Sequence, residues 1–205
     1  MRLVRLAAAV AAATVLLPAA ARADADPASD VLLAQDIFLP FFGGKASDST
    51  ADYLHDVVTA ANDSGFQIKV AAIGSRGDLG GVFTLFGKPK RYAPFLGREI
   101  TFQYTGRLLV SMPAGFGLFW QGHDTQREER LLASVPIKPG TDGLVESTAN
   151  AVKKLAATDG HPINVRRSGS SSSSARILIA VAGGLVLAAV VAAPLLLRRR
   201  RRAAA

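Results

Sequence analysis

Residues 24–167 are predicted to form an α/β domain, an α/β/α sandwich with helices on both faces of a sheet, followed by one C-terminal transmembrane helix. Three observations carry this expectation. The stretch "FQIKVAAI", residues 66–73, is apolar at nearly every position, as in a strand buried on both faces. Segments of helical period alternate with strand-like ones along the domain. Residues 177–197 run 21 positions without a charge, ~31 Å at ~1.5 Å per residue, which matches the hydrocarbon core of a bilayer.

At the amino end, Arg2 and Arg5 precede a short apolar run that Pro18 closes, with Ala21 and Ala23 placed around Arg22. This is the layout of a signal peptide over residues 1–23, with cleavage expected after Ala23. A retained anchor fits less well, because the run falls short of the ~20 apolar residues that a spanning helix needs.

"DVLLAQDIFLPFFGGKASDST", residues 30–50, begins with an apolar stretch suited to an edge strand, and Pro40 with Gly43-Gly44 then signals a loop. Tyr53, Leu54, Val57, Val58 and Ala61 share one face of a helix that Asp48 or Ser49 can cap and Gly65 can end. The buried strand follows, then "GSRGDLGG" as a loop. "KPKRYAPFLGREI" can hold only a turn or two of helix, because of Pro94 and Gly97. Ile100-Phe102-Tyr104 and Leu108-Val110-Met112 alternate around Thr105-Gly106 and predict a hairpin. A helix capped by Asp124 comes next. The last helix turns Leu144, Val145, Thr148, Val152 and Leu155 inward, with Asp142 near its start and Lys153-Lys154 near its end, as the helix dipole favours.

Beyond the domain, residues 168–175 form a serine-rich linker, residues 176–197 the membrane segment and residues 198–205 a basic tail opening on five arginines. Such a cluster stays cytoplasmic. The expected topology is therefore a single-pass protein of the cell membrane with its amino-terminal domain extracytoplasmic, and its Ala- and Arg-rich composition associates it with a bacterial cell envelope. Ala180, Gly184, Ala188 and Ala192 recur every four residues, a stripe that would permit a weak homodimer through the span.

The 205-residue chain carries a net charge of +8, but nine of its 24 basic residues lie in the leader, before the span or in the tail. Residues 24–167 hold 15 basic against 16 acidic residues. No basic footprint remains on the domain, which argues against nucleic acid as a partner. The chain has no cysteine, which excludes thiolate chemistry, cysteine-ligated zinc and disulfides.

A capped helix leads into "FQIKVAAI"; later comes "RLLVSMPAGFG", then "VPIKPGTDGLVESTANAVKKLAA" as a proline-led entry to the last helix. In this order of elements, residues 49–157 resemble the TPM-domain family of extracytoplasmic α/β/α domains. The resemblance implies one of two roles, assembly of membrane complexes or divalent-metal-dependent phosphatase activity with calcium or magnesium. The family pattern places an acidic residue after the glycine turn, where this chain has "GFGLFW" with Phe119 and Trp120. Loss of that carboxylate weakens the catalytic expectation, since a divalent-metal site needs several convergent oxygen ligands.

The acidic residues that remain as candidate metal ligands are Asp78, Asp124 and Asp142; each also stands where a turn or helix cap is expected. His55, His123 and His161 lack ligand spacing, and no G-x-S-x-G is present. Loop aromatics form the other candidate surface, with Phe116, Phe119 and Trp120 singled out as partner contacts and Phe41, Phe42 and Phe83 among the rest. The leading expectation is a non-catalytic binding or assembly domain that is tethered to the lipid bilayer through residues 177–197, has no cofactor, and engages another envelope protein.

Overall fold

The computed structural model describes residues 26–167. The expected signal peptide, serine-rich linker, membrane span and basic tail lie outside the described residues. Among the described residues no helix is long and apolar enough to cross a membrane.

The chain runs α1 (Pro27–Ala34), β1 (Ile37–Phe38), α2 (Asp48–Asp63), β2 (Ile68–Ala72), a 3-10 segment (Arg76–Leu85), α3 (Pro89–Ile100), β3 (Arg107–Met112), β4 (Gly115–Phe119), α4 (Gln126–Leu132) and α5 (Gly140–Thr158). The strands form one mixed sheet in the order β1-β2-β3-β4. The first three strands are parallel, and β4 returns antiparallel beside β3. All five residues of β2 are buried, as expected for a strand covered on both faces.

Strand alternation divides the core. Val70 and Leu109 point toward α2 and α5, where they meet Leu54, Val57, Val145 and Val152. Ala71 and Val110 point the opposite way, toward α1, the 3-10 segment and α3, where they meet Leu32, Leu79, Tyr92 and Leu96. The domain is thus a three-layer α/β/α arrangement. The β1-to-β2 and β2-to-β3 crossovers advance the same way along the sheet but lie on opposite faces. They therefore have opposite hands, and one departs from the usual right-handed rule.

Four local expectations are corrected. The edge strand expected at the start of residues 30–50 shrinks to Ile37–Phe38, because the residues before it form α1. Asp26 caps that helix through Ala28 N, Pro27 presets its first turn, and the Tyr92 hydroxyl donates to both Asp26 oxygens at 2.8 Å. At the other end, Lys69 Nζ donates to the carbonyls of Leu32 (2.6 Å) and Gln35 (2.8 Å), satisfying groups that the helix end leaves open.

Helix α3 runs 12 residues straight through Pro94. Tyr92, Leu96 and Ile100, four residues apart, are all buried, and burial at ~1.5–3 kcal/mol per large side chain offsets the ~3 kcal/mol cost of an interior proline. At Gly97 the Phe119 ring packs where a Cβ would stand.

The hairpin lies later than expected. Ile100 ends α3, Phe102 is exposed, and Leu108-Val110-Met112 belong to the first arm, which pairs with β4 across Pro113-Ala114. Gly115 takes φ 133°, a conformation favouring glycine, as the chain enters the second arm. Gly115 and Gly117 are thus strand residues, and Gly117 lies so close to the Pro89 carbonyl that a side chain there would collide with backbone.

Finally, "GSRGDLGG" is not a plain loop. Ser75 and Asp78 form a reciprocal capping box that opens the 3-10 segment.

Candidate binding site at the carboxyl edge of the sheet

In α/β sheets, ligands and partners gather outside the carboxyl ends of parallel strands, where the following loops converge. Here those loops are joined by one side chain. Asp78 is fully buried, and its Oδ1 accepts from Phe41 N (3.0 Å) and Phe42 N (2.9 Å) in the loop after β1. Its Oδ2 accepts from Gly74 N (2.9 Å), Ser75 N (2.7 Å) and Ser75 Oγ (3.2 Å) in the loop after β2. A buried carboxylate is tolerated only when its lone pairs are taken up in this way.

The consequence lies at the surface. Phe41 and Phe42 are 49% and 65% exposed, with ring centroids 4.5 Å apart, and buried Phe38 meets Phe41 edge-on at 5.6 Å. Gly77 lets the loop settle: a Cβ there would meet the Phe42 Cβ at 2.7 Å. Two exposed aromatic rings are therefore held by a buried anchor.

Beside them opens a cavity of about 480 Å³ lined by Gly43, Gly74, Pro113, Lys138, Gly140 and Thr141, among others. Asp142 Oδ1 accepts from Ser47 N at 2.7 Å, so α5 is tied to the same loop that presents the phenylalanines. Lys138 Nζ is engaged by Glu146 Oε1 at 2.6 Å. Glycine backbone and the side chains of Pro113, Ile137 and Leu144 make up much of its wall.

Compared with protein-family models, curated proteins and solved structures, the chain finds no match. The resemblance to TPM domains rests on the pattern of elements quoted above.

The three candidate metal ligands are not brought together. Asp78 and Asp142 stand at the carboxyl edge, each bonded to backbone N–H groups. Asp124 follows β4, which runs antiparallel and leaves at the far end of the sheet; its Oδ1 accepts from Gln126 N at 3.0 Å at the start of α4. Among the described residues no group of three or more His, Cys, Asp or Glu side chains could hold a metal ion. A calcium or magnesium ion at Asp78 would have to displace five donors that already saturate both oxygens.

The three candidate partner contacts separate as well. Phe116, 7% exposed, is a core residue, because alternation in β4 points it inward against the α2 and α5 layer. Phe119 is half-buried against α3. Trp120 is half-buried over Arg107 and carries His123 on its other side, with the Trp120 and His123 rings 3.6 Å apart and 6° from parallel.

Arg107 was not singled out from the sequence. Its guanidinium carbon lies 4.2 Å from the Phe66 centroid and 3.8 Å from that of Trp120, and its Nη2 donates to Asp159 Oδ2 at 2.8 Å. It ties β3 to the exit of β4 and the end of α5. An arginine opening a strand that is otherwise apolar but for Ser111 is the signal that could have pointed to it. Next to it, the Tyr104 hydroxyl donates to the Arg107 carbonyl at 3.1 Å. Burial above all, and then the Asp36 carboxylate, push the Tyr104 phenol above its ordinary range, with Arg107 partly opposing.

Proposed function

We propose that the domain is a non-catalytic, extracytoplasmic binding or assembly module, anchored to the cell membrane through residues 177–197, that contacts an envelope protein through Phe41 and Phe42. The observation that carries this reading is the Asp78 anchor. A buried carboxylate fixes the backbone of two exposed, touching phenylalanines. Rigid exposed aromatics lose little conformational freedom on association and supply the apolar contact typical of interface centres. The near-neutral charge of residues 24–167 fits a protein partner better than a polyanion.

The test is crosslinking and co-purification of the intact chain from native membranes, beside a Phe41→Ser/Phe42→Ser double variant. A defined partner captured by the parent chain and lost from the variant, with unchanged thermal stability, is the expected result. Equal capture by both chains would overturn the assignment of the surface. Phosphate-ester hydrolysis that depends on calcium or magnesium and disappears in Asp124→Ala would overturn the non-catalytic reading.

A further inference from the structure

A second cavity, of about 440 Å³, lies between the start of α3, the turn from β3 to β4, and α4. The phenylalanine surface does not use it. Phe116 and Leu132, both buried, and half-buried Val135 supply its apolar wall. Lys88, Lys90 and Arg91 line it from "KPKR", three cations in four residues of a domain whose charges as a whole nearly balance.

Those cations are only partly satisfied. Lys90 Nζ pairs with Glu129 Oε2 at 3.0 Å, and Lys88 Nζ donates to the Thr84 carbonyl at 3.2 Å. The Arg91 guanidinium has no hydrogen bond or ion pair among the described residues, only its backbone N–H being engaged, by the Lys88 carbonyl at 2.9 Å. With Glu129 the only acid among the lining residues, the cavity retains an excess of two positive charges. Gly87 and Gly115 also line it, and a Cβ on either would meet nothing within 4 Å.

We propose that this cavity binds a small amphiphile, a phosphate or carboxylate head on an apolar body. The guanidinium of Arg91 offers paired donors suited to either anion, and the lysines add charge. The apolar wall rewards burial of the attached body at ~25 cal/mol per Å². A neutral apolar molecule would leave the cations unmatched, and a bare anion would leave the wall wet. The volume falls within the ~300–1,000 Å³ of small-molecule sites.

The test uses the full chain in phosphatidylcholine nanodiscs, titrated calorimetrically with octyl phosphate, octanol and inorganic phosphate. Octyl phosphate is expected to bind one per chain, at least about tenfold more tightly than either fragment. Arg91→Glu, which reverses an exposed charge, and Ala133→Trp, which obstructs the cavity from α4, are each expected to weaken it about tenfold or more. Melting curves matching the parent chain would confirm that both variants fold. Octanol or inorganic phosphate binding as tightly as octyl phosphate, or binding indifferent to both substitutions, would overturn the proposal. Phosphatidic acid added to the nanodisc distinguishes the sources: competition with octyl phosphate assigns the head group to a membrane lipid, and unchanged affinity assigns it to a free amphiphile.

Discussion

Arg107 and Trp120 form a cation–π pair, with the guanidinium carbon 3.8 Å from the ring centroid, and Phe66 covers Arg107 from another side at 4.2 Å. The pair closes the end of the sheet opposite the phenylalanine surface. Because Trp120 is the chain's single tryptophan, its emission reports on this contact. Arg107→Lys keeps the charge but loses the planar stack and the fixed reach to Asp159. We expect a loss of about 1–2 kcal/mol in chemical denaturation together with a shifted Trp120 emission. Unchanged emission and stability would show that the stack contributes nothing.

Asp78 stitches two loops through five donors. Asp78→Ala leaves four backbone N–H groups without their acceptor, and the expected loss is about 3 kcal/mol or more. Asp78→Asn keeps one acceptor oxygen but turns an NH₂ group toward N–H donors, so it should recover little of that loss. Hydrogen exchange checks the mechanism: the amides of Phe41, Phe42, Gly74 and Ser75 should lose protection together.

Gly117 has no room for a side chain, since the backbone at Pro89 and Lys90 occupies the place of its Cβ. Backbone cannot swing aside as a flexible side chain can, so Gly117→Ala forces β4 away from α3. A loss of about 1–3 kcal/mol is expected. Gly122→Ala is the contrast: φ is 75° and nothing lies near its Cβ position, so only local backbone strain applies, about 1 kcal/mol.

Tyr104 sets an alkaline limit. Its phenol titrates higher in the folded domain than in the unfolded chain, where the value is about 10. Above that value the unfolded chain releases a proton that the fold retains. The contribution is therefore intact below about pH 10 and lost progressively above it. In an ultraviolet titration, the difference between the parent chain and Tyr104→Phe should show the Tyr104 phenol ionising only as the domain unfolds. In Tyr104→Phe the alkaline fall in stability should be shallower. A fall unchanged in that variant would assign the loss to other groups.

How much of this could be read from the residues depends on how local the cause was. The helix over Asp48–Asp63 and the one over Gly140–Thr158 were legible because apolar residues recur at helical spacing, and β2 because it is apolar throughout. Helix α1 reads as strand because its apolar residues run together; its start signal, Asp26 with Pro27, is local, while the Tyr92 hydroxyl that holds the Asp26 carboxylate comes from 66 positions away. Helix α3 was underestimated because Pro94 and Gly97 act locally against a helix, while the burial that sustains it comes from the sheet. The hairpin was displaced because Ile100-Phe102-Tyr104 alternates as a strand would, yet Ile100 is drawn into the end of α3.

The candidate site divides in the same way. Turn and cap positions for Asp78, Asp124 and Asp142 follow from neighbouring residues, so composition and spacing identified them. Only the tertiary structure decided what they do: it placed Asp124 at the opposite end of the sheet from the other two and filled both Asp78 oxygens with donors from separate loops. Sequence alone determined the balanced charge of residues 24–167, the absence of thiol chemistry and the alternation of helices with strands, because each is a property of composition or of short periodic segments. Which phenylalanines are exposed, which strands pair and where Arg107 finds its rings depend on residues far apart in the chain, and that is settled only when the layers pack.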